Sequence, residues 1–129
     1  MGKLRFALVG CGNIAKKHVH VIKNYLDNAE LRCFCDISLE KAQKFADDFQ
    51  LDAFSDIQTM MESVGDEIDV ISILTPSGMH YQNVAELVKY GKPLIVEKPI
   101  ALQLQEADEI LRICDENNVK IFVVHQNRY

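Results

Sequence analysis

A chain of 129 residues, 48% apolar and 26% charged, has the size and composition of one globular domain, which excludes a disordered tail or a collagen-like fibre. Lys and Arg number 14 against 19 Asp and Glu, a formal net charge of -5 with the charges scattered, so the footprint of a general nucleic-acid binder is missing. No apolar run approaches bilayer length, and no membrane partner is expected.

The opening Met1-Gly2-Lys3-Leu4-Arg5 is charged and leads into only a short apolar run, Phe6 to Val9, too short for a signal peptide. Gly2 makes no myristoylation signal, because residue 6 is Phe. Leu4 to Val9 reads as a first strand ending at Gly10. A helix follows, with Ala15, His18 or Val19, Ile22, and Tyr25 or Leu26 on one face. Leu31 to Cys35 is the second strand, with Asp36 at its end. Ser38 is placed to cap the next helix, whose stripe is Ala42, Phe45, Ala46 and Phe49. Asp52 to Phe54 is a very short strand. Asp56 is placed to cap a helix with Ile57, Met60, Met61 and Val64 inward, the methionines acting as core filler.

Ile68 to Leu74 is the strongest strand, interrupted only by Asp69 and Ser72 and punctuated by Thr75-Pro76-Ser77-Gly78. The next helix carries Val84, Ala85, Leu87 and Val88 and stops before Gly91-Lys92-Pro93. Leu94 to Val96 is a short strand. A last helix uses Ala107, Ile110, Leu111 and Cys114, and the last strand starts at Val119 or Lys120 and ends at Val124. Short strands, apolar on both faces and alternating with helices, specify a mainly parallel sheet covered on both sides. Right-handed crossovers then leave a doubly wound α/β Rossmann domain over residues 1–129; an all-α fold is the alternative, and the short β-branched runs oppose it.

Of Cys11, Cys33, Cys35 and Cys114, three lie in apolar, strand-like or helical stretches, and small buried hydrophobes are the expected reading. A secreted disulfide scaffold is unnecessary for so apolar a domain, and no Cys/His spacing completes a metal site, so a cytoplasmic protein without a metal is expected.

Gly10-Cys11-Gly12-Asn13-Ile14-Ala15 fits G-x-G-x-x-A between a strand and a helix, where that motif has physical meaning. Gly10 makes the tight turn, Gly12 admits a pyrophosphate to the backbone, and Ala15 lets helix and sheet pack closely. Amides at the helix N-terminus, including those of Asn13 and Ile14, would bind phosphate charge. Asp36 lies 24 residues beyond Gly12, where its carboxylate can accept bonds from the adenosine ribose and repel a 2'-phosphate, which favours NAD over NADP. A flavin or an adenosyl cosubstrate competes for the same loop. Gly12, Asp36, Thr75, Glu97, Lys98 and Gln126 all follow predicted strands, and ligands bind at the carboxyl ends of strands in such sheets.

The loop Gly10 to Ala15, then Thr75-Pro76-Ser77-Gly78-Met79-His80, then Glu97-Lys98-Pro99, in this order, resemble the N-terminal nucleotide-binding domain of the Gfo/Idh/MocA family (glucose–fructose oxidoreductase, inositol dehydrogenase, rhizopine catabolism). The ending Phe122 to Tyr129 is similar to a narrower group, the NAD-dependent 3-dehydrogenases of UDP-N-acetylglucosaminuronic acid used in polysaccharide synthesis. The resemblance implies hydride transfer between a nicotinamide and a sugar or nucleotide-sugar hydroxyl. It implies that Lys98 is catalytic, lying near the nicotinamide and the reacting hydroxyl, with a cis bond to Pro99. It implies cofactor contacts from Thr75, Pro76, Ser77, His80, Glu97 and Gln126, and substrate contacts from Lys98, Asn127 and Arg128. Family members are much longer. Their further domain supplies an Asp and His pair, the sugar pocket and the homo-oligomer contacts, so this piece is expected to bind NAD and turn nothing over alone. A non-catalytic NAD sensor would keep the loop and Asp36 without needing Lys98, and an interaction module would need neither.

Overall fold

The computed structural model describes residues 3–25 and 27–124. Six strands and five helices alternate: β1 (Leu4–Val9), α1 (Asn13–Tyr25), β2 (Ala29–Cys35), α2 (Leu39–Phe49), β3 (Asp52–Phe54), α3 (Ile57–Val64), β4 (Val70–Ile73), α4 (His80–Leu87), β5 (Leu94–Glu97), α5 (Leu104–Glu116) and β6 (Ile121–Val124). They form one sheet in the order β3-β2-β1-β4-β5-β6, with every pairing parallel. This is the doubly wound Rossmann order, which reverses between β1 and β4 and opens a crevice there.

Strand alternation divides the core in two. Phe6 and Leu8 of β1 join Phe34 of β2, Val70 of β4 and the buried faces of α1 (Ala15, Val19, Ile22) and α2 (Ala42, Ala46). Ala7 and Val9 point the other way, with Ile71, Ile73, Leu94 and Val96, against α3, α4 and α5. One bulge shifts the β1–β2 register: Phe6 pairs with Leu31 but Ala7 pairs with Cys33. The extra residue, Arg32, is carried by Asp52 and Glu67 at 3.0 Å each, and the shift lets Leu31 and Cys33 serve opposite cores.

β4 begins at Val70 instead of Ile68 because Asp69 is spent on Arg5: its backbone amide donates to the Arg5 carbonyl, and its carboxylate takes the Arg5 amide and guanidinium. β2 gains Ala29 and Glu30, which extend its pairing with Leu4 and Arg5. Ala85 and Leu111 face solvent; Ile113 packs inward beside Ile110 and Cys114, so the buried stripe of α5 is rotated from the expected one. Ser38 sits at the N-cap of α2 without a side-chain capping bond, whereas the Asp56 carboxylate does cap α3 by accepting the Thr59 amide at 2.7 Å.

All four cysteines are buried free thiols. Burial pushes Cys11, Cys33 and Cys35 from an ordinary value of 9.0 up to about 12, and it raises Cys114 as well. Thiolate is the nucleophile, so raising the pKa removes the reactive form at any pH below the shifted value. Alkylation of the folded protein with iodoacetamide at about pH 8 should therefore be slower than that of the urea-unfolded chain by about two orders of magnitude or more. Mass spectrometry reads this directly, and rapid labelling of Cys11 in the native state would contradict it.

Candidate functional site

Gly10 ends β1 in a backbone state that excludes side chains. Its φ is +105, and a Cβ there would lie 2.7 Å from the Leu74 carbonyl carbon and 2.7 Å from the Thr75 nitrogen. Its amide donates to the Cys35 carbonyl at 2.7 Å, while the Leu74 amide donates to the Val9 carbonyl at 2.7 Å. The turn is thus tied to both flanking strands at their carboxyl ends.

Asp36 completes the crevice. One carboxylate oxygen accepts the Cys11 amide at 2.8 Å, and the other accepts the Ser38 amide at 2.8 Å. This ties the glycine loop to the end of β2 and fixes the orientation of the carboxylate. Each oxygen keeps capacity for a further donor. The same negative charge, after burial, helps to raise the Cys11 thiol, so Cys11 stays neutral where an anion would bind.

Gly12 is the opposite of Gly10. No atom lies within 4 Å of where its Cβ would be. Packing of the protein does not demand glycine here, and the missing side chain leaves open the approach to the start of α1 at Asn13. Ala15 has 0% exposure and sits where α1 meets the sheet.

Together these elements wall a cleft of about 790 Å³ at the carboxyl ends of β1, β2 and β4. Val9 to Ile14 form its floor, Cys35 to Ser38 with Lys41 one side, and Leu74 to Pro76 the other. Ile37 lines it while 82% exposed, an apolar surface with no partner of its own in the core. Thr75 is oriented by donating its hydroxyl to the Asn83 side-chain oxygen at 2.6 Å. Asn83, Gln82, Glu86, Lys41 and Ser55 also line the cleft, and the sequence reading did not single them out. Asn83 stands eight residues beyond Thr75 on a polar helix face, and no motif marks it.

Of the expected cofactor contacts, Ala15, Ser77, His80, Glu97 and Lys98 do not line this cleft. His80 is 1% exposed. Its Nδ1 is 2.9 Å from the Ile100 carbonyl and its Nε2 is 3.0 Å from the Thr75 carbonyl. Both partners are carbonyls, so a neutral ring donates to one of them at a time; either way His80 sits between the loop after β4 and the loop after β5, away from the cofactor contact expected of it.

Glu97 ends β5, and Lys98 follows it exposed, with a cis peptide bond to Pro99. The Lys98 amide donates to the Val124 carbonyl at 2.9 Å, which holds this segment against β6. Ile73 pairs with Val96, so Glu97 stands level with Leu74 of the cleft wall, one strand away. Glu97 Oε1 lies 2.7 Å from His18 Nε2 of α1, a pairing absent from the sequence reading. Gln126, Asn127 and Arg128 fall outside the described residues.

Residues 4–125 match the model of an oxidoreductase family with an NAD-binding Rossmann fold, the Gfo/Idh/MocA family. The chain belongs to this family. It is similar to the WlbA dehydrogenase of Bordetella pertussis, solved with NADH and UDP-GlcNAcA: 35% identical with a TM-score of 0.85, over 95% of this chain and 37% of that one. The WlbA dehydrogenase of Chromobacterium violaceum, solved with the same pair of ligands, is 30% identical with a TM-score of 0.88, over 96% of this chain and 35% of that one. The uncharacterized oxidoreductase YgjR of Escherichia coli K12 is 32% identical over 92% of this chain and 36% of its own length. The chain thus spans about a third of the length of these relatives.

The matching family model describes an NAD-binding Rossmann fold, and the residues present fit NAD. The open space at Gly12 and the N-terminus of α1 suit the pyrophosphate, and the fixed Asp36 carboxylate suits a ribose diol. Among the described residues no helix is long and apolar enough to cross a membrane.

Proposed function

We propose that this chain is the cofactor-binding part of a dehydrogenase acting on a sugar or nucleotide-sugar hydroxyl, with UDP-N-acetylglucosaminuronic acid, oxidised at C3, as the finer assignment. The observation that carries the reading is the Asp36 carboxylate, held by two backbone amides beside an open glycine turn. The relatives solved with NADH and UDP-GlcNAcA support the finer assignment.

The roles divide along the cleft. The turn Gly10 to Gly12 and the amides of Asn13 and Ile14 hold the pyrophosphate. Asp36 accepts from the adenosine ribose, and exposed Ile37 offers an apolar face to the base. Thr75 and Pro76 form the wall on the nicotinamide side, and Ser77 supports their loop from outside the lining. When bound, the nicotinamide accepts or returns a hydride. Lys98 Nζ orients the reacting hydroxyl and handles its proton. Gln126, Asn127 and Arg128 complete the cofactor and sugar contacts. The remaining sugar wall, and the homo-oligomer contacts, are assigned to the part of the longer relatives that this chain does not cover. On that assignment the 129-residue chain binds NAD and turns over no sugar.

Calorimetric titration of the protein with NADH and with NADPH tests the cofactor half. Asp36→Ala should weaken NADH by about tenfold or more, the scale of lost hydrogen bonds to a charged group. NADPH should bind the wild-type protein more weakly, and Asp36→Ala should narrow the gap between the two cofactors. Equal affinities of the wild-type protein for both, unchanged by Asp36→Ala, would sink the assignment of Asp36.

A further inference from the structure

One buried polar atom has no partner among the described residues. Glu97 Oε2 is enclosed and makes no hydrogen bond, although Oε1 of the same carboxylate is held at 2.7 Å by His18 Nε2. The side chains of His18 and Glu97 are only 19% and 12% exposed. An enclosed carboxylate oxygen without a donor is costly, so such an atom points to a group that arrives with a ligand. Glu97 does not itself line the cleft, but it stands level with Leu74 of the cleft wall and directly precedes Lys98.

His18 lies on α1, the helix whose first turn, Asn13 and Ile14, lines the cleft. Glu97 belongs to β5, two strands from β1 in the sheet. Their bond therefore links the phosphate-binding helix to the segment that carries Lys98. It also decides which carboxylate oxygen lacks a partner: with Oε1 engaged, Oε2 is the unpaired, enclosed acceptor.

We propose that His18 is a positioning residue for the cofactor site: by holding Glu97 Oε1 it presents Oε2 to a sugar-ring hydroxyl in the half of the dinucleotide beyond the pyrophosphate. This rests on reading the cleft as an NAD site with Glu97 on its nicotinamide side. His18 itself touches no ligand. It acts by removing the rotational freedom of a carboxylate that would otherwise have to be ordered when the ligand binds.

ADP and NADH separate this role from a general structural one, because ADP occupies the adenosine half and lacks the second ribose. In calorimetric titrations His18→Ala should weaken NADH by about tenfold and ADP by less than about twofold, the first figure being the scale of one hydrogen bond to a charged group. His18→Gln, whose side-chain amide can still donate to Glu97, should recover most of the NADH affinity. Glu97→Gln should cost a similar factor, and adding His18→Ala to it should cost little more, since the two act through one bond. A spectroscopic reading is independent of any variant: the imidazole nitrogen resonances of His18 should shift on adding NADH and stay in place on adding ADP. Equal losses for both ligands in His18→Gln, or full NADH affinity in His18→Ala, would overturn the proposal. If the wild-type protein bound neither ligand, the cofactor reading itself would fail and this proposal with it. Binding of both with no difference between them overturns the role of His18 alone.

Discussion

Gly10→Ala should destabilise the protein by about 3 kcal/mol or more, while Gly12→Ala should leave stability within about 1 kcal/mol of wild type. The two glycines stand in one motif, and their requirements differ in kind. At Gly10 the backbone has φ +105, where an L side chain is strained in any surroundings. The added methyl would also meet backbone atoms of Leu74 and Thr75 at 2.7 Å, distances that no rotamer change relieves. Relief requires moving β1 away from the β4 end, and that would break the Leu74 to Val9 bond at the centre of the sheet. At Gly12 no atom lies within 4 Å of the added methyl. The methyl would instead occupy the space into which a pyrophosphate must come, so the expected loss is in NADH affinity. Urea unfolding gives the first quantity and calorimetry the second. Against a typical domain stability of about 5–15 kcal/mol, the Gly10 change alone removes a large share. A Gly10→Ala protein with the wild-type unfolding midpoint would show that the turn is not held as described.

This contrast shows what a sequence can carry. The order of elements was readable because each strand is a short apolar run bounded by a turn residue, and each helix has an apolar stripe. The loop Gly10 to Ala15 and the acid at 36 were readable because phosphate and ribose recognition impose fixed residue types at fixed positions. The motif also assigns Gly10 to the turn and Gly12 to the ligand; what it does not show is what enforces glycine at position 10, the Leu74 and Thr75 backbone more than sixty residues away. The same holds for His80. Its neighbours in sequence place it beside a cofactor loop, yet its nitrogens face the carbonyls of Thr75 and Ile100. Arg32 is a further instance. A charged residue inside a strand looks like a simple outward-facing position, but the register shift around it sends Leu31 and Cys33 to opposite cores. His18 was hidden for the converse reason: it lies on an apolar helix face, where a histidine reads as filler, and its partner Glu97 is reached only across the sheet.

On the proposed function, Lys98→Met should lower kcat of the complete dehydrogenase by about two to four orders of magnitude, with NADH affinity within about twofold of wild type. UDP-N-acetylglucosaminuronic acid, the proposed substrate, is the one to supply. The argument starts from placement. Lys98 is exposed at the carboxyl end of β5, its backbone is held to Val124, and no salt bridge engages its ammonium among the described residues. Nothing in the fold depends on its charge, so removing that charge should leave the unfolding midpoint within about 0.5 kcal/mol of wild type. Methionine keeps the length and apolar stem of the side chain and removes only the nitrogen. Loss of turnover with binding and stability intact then isolates the chemistry of Nζ, the group proposed to orient the hydroxyl and handle its proton. A loss of NADH affinity as large as the loss of kcat would instead make Lys98 a cofactor contact. Full turnover would transfer the proton to another group, and the segment Glu97 to Pro99 would then serve the cofactor alone.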